Sequence, residues 1–247
     1  MFAGPNGSGK STIKAKVAKQ FPRIFGIYIN PDDIERDIRE KGRFNFGRFK
    51  IKTTEHEIIP FLKKAGQVRK AGAVGEIKKL RFSNNSLIFT DIQVNSYFVS
   101  AIADFLHEKL VDAGRSFTFE TVMSHPNKIA LLRRARKAGF RSYLYYVATE
   151  APEINVERVR IRVREGGHNV ARGKVEERYP KSLANLLDAI AASDRAYIFD
   201  NSGRDSYLFA EITDGVLEVK DPKVPVWFQK NVLDKGGFDL SKAKMKK

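Results

Sequence analysis

Gly4-Pro5-Asn6-Gly7-Ser8-Gly9-Lys10-Ser11 satisfies G-x-x-x-x-G-K-S and is the chain's strongest chemical signal. Its glycines let the backbone turn so that successive N–H groups point inward at phosphate oxygens. A helix opening at Ser11 adds the partial positive charge of its N-terminus. On this spacing Lys10 is expected to bridge the β- and γ-phosphates of ATP. The Ser11 hydroxyl is expected to ligate Mg²⁺, and Thr12 to contact the α-phosphate or cap the helix. The next residues, IKAKVAKQF, form helix readily, as such a cradle requires. The strand feeding the loop is only Met1-Phe2-Ala3, where a first buried strand usually runs ~5–6 residues.

A cradle of this kind specifies a nucleoside triphosphate but not its fate. Phosphoryl transfer to a hydroxyl needs an acid to take the proton and cations for the moving phosphoryl group. Asp32 and Asp33 follow an apolar run in Ile29-Asn30-Pro31-Asp32-Asp33. Carboxyl ends of parallel strands converge on one crevice, which would set a carboxylate beside the phosphates. Asn30 or Asp32 could equally cap the helix begun at Pro31. Glu120 closes a second run, Phe117-Thr118-Phe119-Glu120-Thr121, where a charged residue points off the sheet's end. Asp91 and Asp200 also end apolar runs and compete for a metal-organising role, although Asn201-Ser202-Gly203 after Asp200 reads as a turn near a base-binding pocket. Arg158, Arg160, Arg162 and Arg164 lie on one predicted helix followed by Gly166-Gly167-His168. Arg158 and Arg162 share a face, and like charges at that spacing call for an anion. The glycine pair suits a lid that folds arginines over phosphates.

The elements that must position these groups alternate. Residues 25–30, 116–120, 141–147 and 195–200 are continuous apolar runs, the pattern of parallel strands covered on both faces. Between them lie predicted helices at 11–20, 31–41, 94–113, 128–138, 152–165 and 173–193. This alternation predicts an open α/β sheet with helices on both sides. Residues 42–93 interrupt it with two predicted helices, 54–65 and 68–80, and a small hairpin turning at Ser83-Asn84-Asn85-Ser86. Near the C-terminus Asp214-Gly215 separates two apolar runs and predicts a second hairpin.

The 247 residues contain no cysteine, which excludes disulfides, thiolate metal sites and a cysteine nucleophile. No apolar run reaches the ~18 residues of a membrane span and no signal-peptide pattern opens the chain, so a cytoplasmic protein is expected. The formal charge of +16 is concentrated. Residues 41–81 hold twelve Lys/Arg against three Glu, and Lys242, Lys244, Lys246 and Lys247 crowd the tail. Such a balance suits a solvated insertion or an anionic partner. Phe46 and Phe49, interleaved with Arg48 and Lys50, could stack bases if that partner were RNA.

Five segments, AGPNGSGKST, NPDDI, SFTFETVMSHP, RVRIRVREGGHNV with ERYPKSLANL, and YIFDNSG, occur in order across residues 3–203. Together they resemble the zeta-toxin-like P-loop kinases, whose members include UDP-N-acetylglucosamine kinases. The resemblance implies a three-layer α/β/α P-loop NTPase core at 1–41 and 94–235, with a C-terminal hairpin. A mainly helical basic insertion at 42–93 and a basic tail at 236–247 would be added to it. It further implies ATP- and Mg²⁺-dependent phosphorylation of a sugar nucleotide, typically the 3′-hydroxyl of an N-acetylhexosamine on UDP. By the same carry-over Asp32 activates the hydroxyl, and Glu120, Thr121 and His168 bind the acceptor. Gly4 to Thr12 hold ATP, with Lys10 on the phosphates and Ser11 on the metal, and Arg158 and Arg162 stabilise the transferring phosphoryl. His168 stands where toxin members carry a second lid arginine and Ala171 where a proline is usual. An antitoxin protein is a partner implied for such a chain, although toxicity itself does not follow. Two other readings of the residues stand beside this one: a polynucleotide or RNA 5′-kinase, and a regulatory ATP-binding module.

Overall fold

The computed structural model describes residues 1–90, 92, 94–238 and 244–245. The elements open with β1 (Phe2–Ala3), α1 (Lys10–Gln20), β2 (Ile27–Ile29), α2 (Pro31–Lys41) and β3 (Arg43–Asn45). Next come α3 (Glu55–Lys64), α4 (Gly66–Lys70), β4 (Arg81–Ser83), β5 (Ser86–Ile88), α5 (Ser96–Asp112), β6 (Phe117–Thr121) and α6 (Asn127–Lys137). The chain continues through β7 (Tyr143–Ala148), α7 (Pro152–Arg164), α8 (Arg172–Ala184), α9 (Leu186–Ala191) and β8 (Arg195–Asp200). It closes with β9 (Tyr207–Thr213), β10 (Val216–Val219), α10 (Val226–Phe228) and β11 (Lys244–Met245). The fold is mixed α/β with a mainly parallel central sheet, and by contacts the chain divides into two compact units, Met1–Ile24 with Glu120–Lys247 and Phe25–Phe119.

In the first unit β1 lies between the end of β6 and β7, parallel to both. β7 is parallel to β8, and β8, β9 and β10 continue antiparallel. β1 is as short as the sequence implies, yet Phe2 and Ala3 are buried on both sides and Phe2 stacks on Tyr145 at 4.6 Å. Two residues suffice because the neighbours are long. Leu144, Tyr146, Val147 and Ala148 of β7 are all buried, the continuous apolar run of a covered parallel strand. Each large side chain so buried contributes roughly 1.5–3 kcal/mol. The Tyr146 hydroxyl is satisfied at 3.0 Å by Ser182 of α8, and burial pushes its pKa well above the ordinary value. The Asp214-Gly215 hairpin forms as expected, both residues taking positive φ (50° and 80°) between paired Thr213 and Val216. The helix expected over 173–193 is divided: α8 ends at Ala184, and Asn185 donates its side-chain amide to the Met123 carbonyl at 2.9 Å before α9 begins.

In the second unit β2 pairs in parallel with Phe117–Phe119 of β6. α2 starts where the sequence places it. Asn30 is its N-cap, accepting the Asp32 N–H at 3.1 Å, Pro31 fills the first turn, and Gly42 ends the helix at φ 62°. The expected hairpin turns at Asn84 and Asn85, both left-handed, and pairs β4 with β5. A third strand, β3, joins on the other side of β5 through Phe44↔Leu87, which nothing in its three residues announced. The helix expected over 68–80 stops at Lys70, because Gly72 turns left-handed (φ 65°) and a 3₁₀ segment, Ala73–Lys79, follows. Phe46 and Phe49 are core residues, 0% and 6% exposed. Phe44 lies 5.0 Å from Phe46 and 5.6 Å from Phe49, and Phe105 of α5 meets Phe46 at 5.7 Å. Rings held this way cannot stack on bases, so the aromatic support for RNA binding disappears. No helix among the described residues is long and apolar enough to cross a membrane.

Candidate active site

Gly4, Gly7 and Gly9 all take positive φ, at 141°, 77° and 96°, which L side chains rarely tolerate. Space forbids a side chain there as well. A Cβ on Gly4 would come within 2.0 Å of the Val147 carbonyl oxygen, one on Gly7 within 2.4 Å of the Asn155 carbonyl oxygen, and one on Gly9 within 2.3 Å of the Asn201 amide nitrogen. The loop is therefore shaped by three close approaches, from β7, from α7 and from the turn after β8. Asn201 completes the fit by donating its amide to the Ser8 carbonyl at 2.7 Å.

Asn6 Oδ1, Ser8 Oγ, Asn155 Nδ2 and Arg162 Nε are buried and have no hydrogen-bond partner among the described residues. Buried polar groups left unmatched are costly, so Asn6 and Ser8 of the loop, with Asn155 packed against Gly7, fit a polar ligand and its water. The Lys10 ammonium spans the loop, donating to the Gly4 and Pro5 carbonyls at 2.8 Å each. The donor set suits a triphosphate: N–H groups, an ammonium and hydroxyls. It suits Mg²⁺ too, since that ion needs few protein oxygens when substrate phosphates and water supply the rest. Among the described residues no group of three or more His, Cys, Asp or Glu could hold a metal alone.

Glu120 reaches the cradle. Its Oε2 accepts the Ser11 hydroxyl at 2.9 Å and its Oε1 lies 3.3 Å from Lys14 Nζ. The strand register explains this, because Glu120 sits opposite Phe2 and the chain from β1 runs directly into the loop. Thr121 turns its hydroxyl inward to accept the Met123 N–H at 3.0 Å, holding a left-handed Met123 (φ 56°). Thr12 is exposed on the first turn of α1.

The arginines of α7 do not act as one face. Arg158 clasps the turn after β8, donating to the Asn201 carbonyl at 2.7 Å and the Gly203 carbonyl at 2.9 Å. Through Asn201 it is one residue removed from Ser8. Arg162 donates to the His168 carbonyl at 2.7 Å, and Gly167 lets that turn fold onto it, for a Cβ there would meet Arg162 Cγ at 2.6 Å. His168 thus holds Arg162 through its backbone, and its side chain is exposed. Arg160 is paired with Glu157 at 2.7 Å.

In the second unit Asp32 and Asp33 separate cleanly. Asp33 pairs with Arg36 at 2.6 Å, while Asn30 provides the helix cap. Asp32 is exposed, and among the described residues its carboxylate has no hydrogen bond or ion pair. Of the rival acids, Asp200 is 4% exposed and accepts the Trp227 indole N–H at 2.7 Å together with the Ser202 N–H and hydroxyl, both at 2.9 Å. It fixes the turn that carries Asn201. Asp91 lies outside the described residues. Sequence reasoning missed Asn155, since a lone Asn in a helical segment carries no motif, and undervalued Asn201, whose position after an apolar strand was the only hint.

Residues 90–208 match the family described as zeta toxin, a stretch that begins after the cradle and contains Glu120, Arg158 and Arg162. A curated protein of Haemophilus influenzae, described as uncharacterized, is 35% identical over 63 residues, which is 26% of this chain and 45% of the relative. Among solved structures, the native AvrRxo1-ORF1:-ORF2 complex aligns over 90% of this chain and 60% of its own, with 15% identity and a TM-score of 0.51, a likeness of fold. The PezAT toxin–antitoxin system of Streptococcus pneumoniae aligns over 98% of this chain and 81% of its own, with 14% identity and a TM-score of 0.47. The chain thus spans less than two thirds of the first two of these relatives.

Proposed function

We propose, from the premise that this chain belongs to the zeta-toxin-like P-loop kinases, that it transfers the γ-phosphoryl group of ATP to a hydroxyl of a sugar nucleotide such as UDP-N-acetylglucosamine. The observation that carries the reading is the cradle itself: three glycines at positive φ in close approach, a lysine donating to the loop carbonyls, and the unmatched polar atoms of Asn6 and Ser8. Bound Mg²⁺ would neutralise charge on the β- and γ-phosphates.

In this reading Gly4 to Thr12 receive the phosphates, and Lys10 leaves the loop carbonyls to follow the γ-phosphoryl group. Asp32, without a side-chain partner among the described residues, accepts the acceptor hydroxyl's proton as the hydroxyl oxygen bonds to the γ-phosphorus. The bond from that phosphorus to the β,γ-bridging oxygen breaks, and ADP keeps the electron pair. Arg162 offers its unmatched Nε–H to the phosphoryl oxygens. Arg158 works through Asn201, holding it on Ser8. An antitoxin-like protein partner belongs to the same reading.

Transfer of label from ATP tagged at the γ-phosphorus, across sugar nucleotides, free sugars and a 5′-hydroxyl oligonucleotide, tests the acceptor class. The expected result is turnover of a uridylylated amino sugar and none of the oligonucleotide; labelling of RNA alone would transfer the chain to the polynucleotide kinases.

Glu120 is assigned here to the metal side. Its carboxylate orients the Ser11 hydroxyl that would ligate Mg²⁺, and partners of metal ligands commonly contribute about 10–100-fold to metal affinity. Glu120→Gln is therefore expected to weaken Mg²⁺-dependent ATP binding about tenfold in a calorimetric titration, with the acceptor KM little changed. The opposite pattern, a raised acceptor KM with normal Mg²⁺ dependence, would restore Glu120 to the acceptor.

A further inference from the structure

A cavity of about 540 Å³ opens in the second unit, and none of its lining residues belongs to the proposed reaction. Its lining includes Gly26, Tyr28, Arg48, Lys50, Arg115 and Ser116, and no carboxylate borders it. It lies at the N-terminal ends of β2 and β6, whereas Asn30 and Asp32 follow the C-terminal end of β2. It is therefore not the crevice in which ligands of open α/β sheets usually bind.

The floor is rigid. Gly26 (φ 57°) brings its backbone so near Ser116 that a Cβ would stand 2.4 Å from the Ser116 carbonyl oxygen, and the Ile27 N–H donates to that same oxygen at 3.1 Å. The cations are mounted on fixed backbone. Arg115 follows Gly114 at the end of α5 and donates its N–H to the Leu110 carbonyl at 3.0 Å. Lys50 closes the 3₁₀ turn Phe46–Phe49 by donating to the Gly47 carbonyl at 2.9 Å. Arg48 already has an anion, the Asp37 carboxylate, and its guanidinium lies 5.6 Å from the Phe49 ring centre. Lys50 and Arg115 have none: among the described residues neither forms an ion pair or a side-chain hydrogen bond.

Lys50 also holds φ at 55°, a conformation that glycine or asparagine would occupy with less strain. A strained lysine that lines, with an arginine, a cavity whose lining holds no acid matches a phosphate dianion in charge. We propose that this cavity is a second anion site, which takes the phosphate group of a small phosphorylated ligand. Its volume admits a mononucleotide as readily as free phosphate, and the two share the same recognised group. Phe46 is buried and Phe49, which lines the cavity, is only 6% exposed, so no row of rings faces successive bases, which disfavours a nucleic-acid strand.

Residue-resolved amide NMR of the full chain, titrated separately with inorganic phosphate, pyrophosphate, AMP and UMP, tests the site apart from the cradle. Saturable shifts are expected at residues 26–28, 50, 115 and 116, in addition to any at 4–12. A larger affinity for AMP or UMP than for phosphate would identify a nucleotide as the source; equal affinities would identify the phosphate alone. Lys50→Gly and Arg115→Gln are each expected to weaken binding at the second site at least fivefold, with the shifts at 4–12 preserved. Lys50→Gly relieves the strained backbone, so loss of binding in a variant of equal or higher Tm cannot be ascribed to unfolding. Shifts confined to 4–12, or unaltered affinity in both variants, would overturn the proposal. So would an oligonucleotide that binds this face more tightly than every small phosphate.

Discussion

In Lys10→Ala, phosphotransfer falls by about 10²–10³ in kcat, the loss expected when one preorganised cation is removed from a developing phosphoryl charge. The structure shows why no neighbour substitutes. Lys14, the next lysine on α1, is held by Glu120 at 3.3 Å. Arg158 is committed to two backbone carbonyls. Lys10→Arg should not rescue the rate, because a planar guanidinium with fixed donors does not replace a compact, rotatable ammonium on the phosphates. The check is single-turnover rate together with calorimetric ATP affinity, and both are expected to fall. Wild-type ATP affinity in Lys10→Ala would end the assignment of the cradle.

Asp32→Asn separates catalysis from binding. Loss of a general base costs about 10²–10⁴ in rate, and the substitution is isosteric. It leaves α2 intact because the cap is the Asn30 side chain and not Asp32. ATP affinity should therefore stay near wild type while label transfer collapses. Asp33→Asn is the internal control. Its carboxylate is an exposed partner of Arg36 three residues along, worth a few tenths of a kcal/mol, and its removal should leave the rate nearly unchanged. Equal rates for Asp32→Asn and wild type would remove Asp32 from the chemistry and leave the proton without an acceptor in this reading.

These expectations rest on groups of very different legibility. The glycine loop was readable outright, because positive φ and close approaches by Val147, Asn155 and Asn201 require glycine at fixed spacing. The strands of the first unit were readable because burial on both faces demands unbroken apolar runs. Phe46 and Phe49 show the limit of pattern. Aromatics between basic residues read equally as a stacking surface or as core, and only their contacts with Phe44 and Phe105 decide for core. β3 was invisible for a related reason, since three residues carry too little periodicity and become a strand only when β5 supplies the partner.

The arginines of α7 mark the same boundary within the site. Helical spacing put Arg158 and Arg162 on one face, but their guanidinium groups go to different turns, one held by Asn201 and Gly203 and the other by His168. Sequence alone determined that this chain has an α/β sheet and a glycine-shaped loop between its first strand and first helix, because both follow from local rules of backbone conformation and burial. Tertiary structure decided which side chains are already spent: among the described residues Asp33, Asp200 and Arg48 are paired, while Asp32, Lys50 and Arg115 are not. Pairing between residues distant in sequence depends on where folding brings their side chains, and no local pattern encodes that.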